Sequence, residues 1–224
     1  MTRRGMETIT CPACGTESEF TVYDSINVDL DPELKEALYT DKSPLIFTCP
    51  HCGEKMFVSY DFLYHDMNNR YMLWFVPSGK IPQSNSEFLK EFMDAKLGSK
   101  MNRMSQGYRY RYARNIEELL EKIIEMDSAY PDYAWEILKA LSLMRIGSDL
   151  KDKDLPLDTF RFRLTDEGKI LCSFPPGDDF LGVEVSTADL EQLTDSFKLN
   201  ELTESDEYIQ VDIEWAVKFL RSFE

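Results

Sequence analysis

Four of the five cysteines occur in two copies of one short motif. Cys-Pro-Ala-Cys-Gly occupies residues 11–15, and Cys-Pro-His-Cys-Gly occupies residues 49–53. Two Cys-x-x-Cys pairs supply four thiolates, which is the ligand set of a structural zinc ion with a closed tetrahedral shell. We therefore predict a site for one zinc ion. Its predicted ligands are Cys11, Cys14, Cys49 and Cys52.

The spacing and composition of each motif suit metal binding. A two-residue spacer lets both sulfurs reach one ion, the proline restricts its φ, and the glycine permits the positive φ with which the chain turns away. Between Cys14 and Cys49 lie 34 residues. Such a loop is tolerated, because doubling the length of a loop costs only about 0.6 kcal/mol, whereas structural zinc contributes on the order of 10 kcal/mol.

The same four cysteines allow three other interpretations. Disulfides are disfavoured because the first residues, Met-Thr-Arg-Arg-Gly, do not resemble a secretory leader, and cytosolic thiols stay reduced. A redox dithiol is disfavoured because the motif is duplicated and each copy continues into polar residues. Iron remains an alternative, since rubredoxin-like carriers hold iron in a Cys-Pro-x-Cys-Gly cage and tetrahedral four-sulfur ligation suits both metals.

Outside the two motifs, His65 and Asp66 come closest to a catalytic pattern. An imidazole beside a carboxylate can act as a base, but adjacent residues on a strand face opposite sides. No nucleophile is identified for the pair, so we expect a structural hydrogen bond instead. His51, inside the second motif, is expected at the surface. Cys172 lies among apolar residues and is expected to be an inert buried thiol.

Aromatic and basic residues alternate in the sequence Tyr-Arg-Tyr-Arg-Tyr-Ala-Arg at residues 108–114. As a strand, this stretch would have tyrosines on one face and arginines on the other. Arg109, Arg111 and Arg114 form a candidate basic patch for phosphate contact and base stacking on single-stranded nucleic acid. The acidic composition of the chain favours a different interpretation, in which these arginines pair with acidic residues of the same protein.

The chain has 224 residues and a formal net charge of −16. The charge is uneven, because residues 1–114 carry 14 basic and 15 acidic side chains whereas residues 115–224 carry 11 and 26. An acidic C-terminal half repels phosphate backbones and anionic lipids, which argues against nucleic acid and membranes as partners and favours a protein. No apolar run approaches the roughly 20 residues of a membrane helix. We therefore expect a cytoplasmic protein.

Strand and helix patterns surround the motifs. Residues 19–23, 45–48 and 55–60 are predicted to be ribbon strands, and residues 31–38 a helix with Asp31 as its N-cap. The remaining predicted elements are a buried strand at 71–76, helices at 84–98, 115–124 and 132–146, strands at 159–164, 170–174 and 182–186, and helices at 186–193 and 213–223.

These elements predict an α+β fold. Its first part is an antiparallel sheet that contains a zinc ribbon and is packed with helices, and its second part is a small, acidic C-terminal α/β module. Residues 148–156 are polar and dense in Asp and Lys, as is typical of a linker. We therefore predict a zinc-binding domain at residues 6–147 and a C-terminal domain at residues 157–224.

Four stretches of the sequence occur together in one known family. They are the paired Cys-Pro-x-Cys motifs, Asp-Pro-Glu-Leu-Lys at residues 31–35, Leu-Tyr-His-Asp-Met at residues 63–67 and Leu-Leu-Glu-Lys-Ile at residues 119–123. In these stretches the chain resembles the bacterial and archaeal CpXC domain, over about the first 135 residues. The resemblance implies a zinc-binding fold and does not indicate an activity.

Three functional hypotheses follow. We favour a zinc-stabilised cytoplasmic interaction or regulatory module that binds a protein partner. The alternatives are a rubredoxin-like iron electron carrier and a nucleic-acid-binding zinc ribbon that uses the candidate basic patch. The sequence contains no Gly-rich phosphate loop, Gly-x-Ser-x-Gly elbow or His-Glu-x-x-His helix. We therefore predict no catalytic residue, and the sequence does not indicate an oligomeric state.

Overall fold

The computed structural model describes residues 2–81, 84, 107–146, 159–164, 169–174 and 182–223. The chain divides into two compact units. Unit 1 contains Met1–Leu120 and Glu204–Ile209, and unit 2 contains Glu121–Thr203 and Gln210–Glu224. The predicted linker lies outside the described residues. The predicted domains, residues 6–147 and 157–224, stay a prediction, because a compact unit need not be a domain that folds independently.

Among its described residues, unit 1 contains seven strands and one complete α-helix. The strands are β1 (Arg3–Thr10), β2 (Glu17–Asn27), β3 (Ile46–Thr48), β4 (Lys55–Phe57), β5 (Phe62–Asp66), β6 (Tyr71–Phe75) and β7 (Arg109–Ala113), and the helix is α1 (Pro32–Thr40). Five of the strands form one sheet in the order β1-β2-β5-β6-β7, while β3 and β4 form a separate antiparallel pair.

The five-stranded sheet is mixed, so the prediction of an antiparallel sheet is wrong. The pairs β1/β2 and β5/β6 are antiparallel, whereas β2/β5 and β6/β7 are parallel. Parallel neighbours require a long crossover connection, and the crossover from β2 to β5 contains α1, β3 and β4. Side-chain periodicity identifies strands but not the strands that become neighbours, which explains the error.

Local sequence patterns identified several elements of unit 1, although β1 and β5 were not among the predicted strands. Four of the five residues of β6 are buried, as expected for a nearly continuous apolar strand. Helix α1 begins at Pro32 with Glu33 in its first turn, as predicted. Asp31 precedes this helix, but its side chain makes no capping hydrogen bond.

Unit 2 combines helices with a three-stranded antiparallel sheet. Its strands are β8 (Arg161–Leu164), β9 (Ile170–Ser173) and β10 (Gly182–Glu184), in the order β10-β9-β8. The helices that follow α1 are α2 (Ile116–Met126), α3 (Asp132–Ile146), α4 (Thr187–Ser196) and α5 (Ile213–Arg221). The boundary between the units falls within α2, after Leu120. Helix α3 packs against α4 and α5.

The helix starts predicted at Asn115 and Ser186 are confirmed by their hydrogen bonds. Asn115 Oδ1 accepts a bond of 2.9 Å from the N–H of Glu118, and Ser186 Oγ accepts one of 3.2 Å from the N–H of Ala188. Apart from Ser84, the helix predicted at residues 84–98 lies outside the described residues. Among the helices that are described, none has both the length and the apolar character needed to cross a membrane.

Candidate metal centre

Each cysteine motif forms the turn of a β-hairpin. Residues 11–15 connect β1 to β2, and residues 49–53 connect β3 to β4. In both turns the glycine N–H donates to the carbonyl of the first cysteine at 2.9 Å. The N–H of that cysteine donates to the residue after the glycine, at 3.0 Å in the first turn and 2.8 Å in the second. The two motifs therefore have the same local geometry.

The glycines have the backbone conformation that the motif predicts. Gly15 has a φ of 74° and Gly53 has a φ of 77°. An L side chain in this region costs roughly 1–2 kcal/mol because Cβ approaches the following carbonyl oxygen. Glycine therefore lets each turn close without that strain.

The four cysteine sulfurs converge. Cys11 Sγ lies 3.6 Å from Cys52 Sγ, and Cys14 Sγ lies 3.7 Å from Cys49 Sγ. All four atoms lie within 4.8 Å of one another. These separations far exceed the length of a disulfide bond, about 2.05 Å, and all four residues are free cysteines. The arrangement could hold one metal ion between the two turns.

The site has a buried side and an exposed side. Cys11 and Cys49 are each only 1% exposed and pack with Phe20 and Phe47 in an apolar cluster. The two phenylalanine rings meet edge to face with centroids 6.1 Å apart. Cys14 and Cys52, the second cysteine of each motif, are exposed. The apolar cluster therefore positions one cysteine of each turn.

The thiol environments differ between the two exposed cysteines. Hydrogen bonds with the side chain and backbone of Thr16 lower the pKa of Cys14 to about 6, so this thiol is largely ionised at neutral pH. A backbone hydrogen bond with Glu54 acts to lower the pKa of Cys52, but desolvation and the three neighbouring thiols raise it to about 12. Cys52 thus retains a proton that a bound cation would displace.

His65 and Asp66 make separate contacts. His65 Nδ1 lies 3.4 Å from Asn27 Nδ2, and its Nε2 lies 3.2 Å from the hydroxyl of Tyr108. Burial lowers the pKa of the imidazole. Asp66 instead accepts hydrogen bonds from the backbone and side-chain amides of Asn69, at 2.8 and 2.9 Å. Both residues lie on β5, each makes its own local hydrogen bonds, and their role as a functional pair stays a prediction.

The candidate basic patch does not form one exposed surface. Arg111 is 1% exposed and pairs with Glu204, and Arg109 approaches the same carboxylate. Arg114 lies over the ring of Tyr112, with 5.4 Å between its Cζ and the ring centroid. The structure thus places two of the three arginines against an acidic residue of the same chain, in agreement with the interpretation favoured from composition.

A second cluster of ionisable residues lies in unit 2 and was missed by the sequence analysis. Lys122 Nζ lies 2.6 Å from Glu125 Oε2 and 2.8 Å from Glu136 Oε1. Lys139 Nζ lies 2.8 Å from both Glu121 Oε1 and Glu136 Oε2. With Arg161, whose Nη1 lies 2.9 Å from Glu121 Oε2, these residues form what we call the buried ion network. Its members are Glu121, Lys122, Glu125, Glu136, Lys139 and Arg161.

The buried ion network is already balanced by its own side chains. The three glutamate carboxylates lie within 4.8 Å of one another, which is close enough for a metal ion. Two ammonium groups bridge them, however, so a divalent cation would have to displace lysines or add uncompensated buried charge. The helical spacings from 122 to 125 and from 136 to 139 could have indicated ion pairs. A helix with one apolar stripe commonly leaves its charged face to solvent, so these pairs were not expected to be buried.

Comparison with known proteins yields one match. A family model described as CpXC protein matches residues 9–139, more than half of the chain. The match includes both cysteine motifs. No match is found among curated proteins or among solved structures.

Proposed function

The chain belongs to the CpXC family, and on this premise we propose that its four clustered cysteines bind one structural zinc ion in a zinc ribbon. The proposed ligands are Cys11, Cys14, Cys49 and Cys52. The observation that carries the proposal is the convergence of their four sulfurs from two identical hairpin turns.

The sulfur separations fit the size of the proposed ion. A Zn–S bond of about 2.3 Å implies sulfur–sulfur separations of about 3.8 Å at the edges of a regular tetrahedron. The Cys11–Cys52 and Cys14–Cys49 sulfur pairs, at 3.6 and 3.7 Å, are close to this value. Little rearrangement would therefore be needed for the thiolates to enclose zinc.

Four protein ligands favour a structural role over a catalytic one. A catalytic zinc ion keeps one position for water or substrate, whereas a four-thiolate shell is closed. The proposed ion would join the β1–β2 turn to the β3–β4 turn, because each close sulfur pair contains one cysteine from each motif. Its binding energy would then stabilise a small part of unit 1 with a limited apolar core.

We further propose that the zinc-stabilised fold serves as an interaction or regulatory module in the cytoplasm. A reducing compartment would keep the four ligands as thiols. The excess of acidic side chains in residues 115–224 would favour a protein partner over a nucleic acid or an anionic membrane. This role requires no reactive centre.

Elemental analysis and an optical spectrum of protein purified without chelator test the metal assignment. We expect one zinc per chain and no visible absorption, because zinc has a filled d shell. One iron per chain with thiolate charge-transfer bands would contradict the zinc proposal and support electron transfer instead. Protein without either metal, even after zinc is added, would contradict both assignments.

Two cysteine variants provide a matched comparison. We expect Cys14→Ser to reduce zinc content well below one per chain, because the site loses one of four thiolates. Cys172→Ala should retain full zinc content, since Cys172 is a buried free thiol in unit 2. Equal zinc content in both variants would refute the assignment of Cys14 as a ligand.

A further inference from the structure

A short acidic segment lies beside the last strand of the sheet in unit 1. This segment, Glu204–Ile209, belongs to unit 1 although its flanking residues belong to unit 2, and we call it the strap. The N–H of Ile209 donates to the carbonyl of Tyr110 at 3.2 Å, and the N–H of Tyr112 donates to the carbonyl of Ile209 at 3.3 Å. The strap therefore adds a short parallel bridge to β7.

Glu204 is the first anchor of the strap. Arg111 Nη1 and Nη2 donate to its two carboxylate oxygens, each at 3.0 Å. Arg109 Nε lies 3.4 Å from one of the same oxygens. The two parallel bonds have the bidentate geometry with which a guanidinium recognises a carboxylate. A carboxylate at this position is therefore bound both by charge and by shape.

Tyr208 is the second anchor. Its ring meets Tyr110 edge to face with centroids 5.3 Å apart and meets Trp74 in the same way at 6.4 Å. Its hydroxyl lies 3.9 Å from the sulfur of Met72. Only 6% of Tyr208 is exposed. The aromatic side chain thus fills an apolar site beside the arginines.

The three residues between the anchors are exposed. They are Ser205, Asp206 and Glu207. Anchored side chains separated by exposed positions, together with main-chain bonds to a strand, are typical of a linear peptide bound at the edge of a sheet. The strap has this pattern, with a carboxylate four positions before an aromatic ring.

The geometry points to the edge of β7 as a docking site for an acidic, extended peptide of a partner protein, which the strap occupies as an internal competitor. The partner peptide carries a carboxylate four residues before an aromatic side chain. This inference rests on the proposed role as an interaction module but not on the metal. A peptide fits better than a nucleic acid, because a nucleic acid has no backbone amide or carbonyl to match the main-chain bonds of the strap.

The strap must be displaced before a partner can bind. A segment tethered beside its own site acts at an effective concentration of around millimolar, so an external peptide binds the closed protein weakly. Weakening the two anchors removes this competition and leaves the side chains of β7 unchanged.

Fluorescence anisotropy with a labelled peptide of residues 202–211 tests this proposal. The strap-open protein is the full chain with Glu204→Ala and Tyr208→Ala. The control is Glu201→Ala, which also removes one negative charge. We expect the strap-open protein to bind the peptide at least about tenfold more tightly than the wild type does. The control should bind as the wild type does. Equal affinities for the strap-open and wild-type proteins would overturn the proposal.

Peptide variants test the chemistry of the site without altering the protein. Glu204→Gln in the peptide should weaken binding about tenfold, because a carboxylate that pairs with Arg111 is lost. Glu207→Gln makes the same chemical change at an exposed position and should have little effect. Equal losses from both changes would overturn the predicted recognition of a carboxylate.

A second protein variant and two further measurements complete the test. If the double variant does not fold, Glu204→Gln in the protein serves as the opened form, with Glu207→Gln as its control. Zinc content is measured in each sample. An opened protein that contains zinc but does not bind the peptide would overturn the docking proposal and leave the zinc proposal intact. Peptide binding by a sample that cannot bind zinc overturns only the metal proposal. Displacement of the peptide by oligothymidylate would show a nucleic-acid site and overturn the choice of ligand.

Discussion

The two glycines of the cysteine motifs have a conformational role rather than a packing role. Gly15 and Gly53 both have positive φ, and a Cβ at either position would have no heavy atom within 4 Å outside the glycine and its two chain neighbours. Contact with the rest of the fold therefore cannot explain a requirement for glycine there. The requirement comes from the backbone, which must reverse direction directly after the second cysteine of each motif.

Gly15→Ala should lower the free energy of unfolding by about 1 kcal/mol, because alanine is strained at this φ. Gly5→Ala is the matched control. Gly5 has no positive φ, and its added Cβ would lie 3.9 Å from Val22 Cγ2, an ordinary contact. Urea unfolding at saturating metal measures both changes. Similar losses in the two variants would show that backbone strain at Gly15 is not the cause.

The elements of unit 2 are joined through the buried ion network. Glu121 and Glu125 lie on α2, Glu136 and Lys139 lie on α3, and Glu121 also accepts a 2.7 Å hydrogen bond from the N–H of Phe162 on β8. Two glutamates of the network differ in their surroundings. Glu136 contacts both lysines, whereas Glu125 Oε1 has no hydrogen-bond partner among the described residues.

The protonation of these two glutamates follows from their contacts. Burial raises the pKa of Glu125 well above its usual value, and the attraction of Lys122 only partly offsets this effect. Burial acts to raise the pKa of Glu136 too, but Lys122 and Lys139 together lower it. We therefore expect Glu136 to carry a charge at neutral pH and Glu125 to favour its neutral form.

Glu136→Gln should destabilise unit 2 by about 3 kcal/mol at pH 7, because it removes the carboxylate shared by two buried lysines. Glu125→Gln is the matched change in the same network. It should alter the free energy of unfolding by less than about 1 kcal/mol, because glutamine resembles the neutral acid. Urea unfolding of the two variants beside the wild type measures the difference, and a larger loss from Glu125→Gln would contradict the assignment.

The stability of the wild type relative to Glu125→Gln should depend on pH. A raised pKa in the folded state means that the contribution of Glu125 to stability is complete below its unfolded pKa and is lost as pH rises through the folded pKa. The wild type should therefore lose stability relative to Glu125→Gln as pH increases from 4 to 8, since the variant has no proton to lose. A difference that stays constant over this range would show that Glu125 does not titrate as proposed.

At the scale of the whole molecule, the proposed metal and the buried ion network stabilise different units. The four cysteines belong to unit 1, and all members of the network belong to unit 2. Each unit has buried apolar residues of its own, such as Phe62 and Leu73 in unit 1 and Trp135 and Phe162 in unit 2. Loss of the metal should therefore lower the stability of unit 1 more than that of unit 2.

Removal of the metal by a chelator should accelerate amide hydrogen exchange in β1 to β4 by at least about a hundredfold, because structural zinc supplies much of the local folding energy. Exchange in α3 and β9 should change little. Mass spectrometry of proteolytic fragments measures both regions in one sample. Equal acceleration in the two units, or none in β1 to β4, would contradict this distribution of stability.

Much of the fold could be predicted because its signals are local. Helix α3 begins and ends where the pattern of Pro131 and the following apolar residues predicts, and β8 and β9 form the predicted hairpin. The parallel pairing of β2 with β5 could not be predicted, because it depends on a crossover rather than on either strand. The buried ion network was missed for a related reason, since burial of a charged helix face depends on the surfaces that pack against it.

The candidate metal centre could be predicted from its two cysteine motifs. Cys-x-x-Cys spacing, the restricted φ of proline and the positive φ of glycine all act within five residues, so each turn is specified by covalent geometry. Only the tertiary structure decided what the arginines of β7 bind. Arg111 pairs with Glu204, 93 positions away, and no local pattern specifies such a partner, because long-range packing determines which carboxylate reaches the strand.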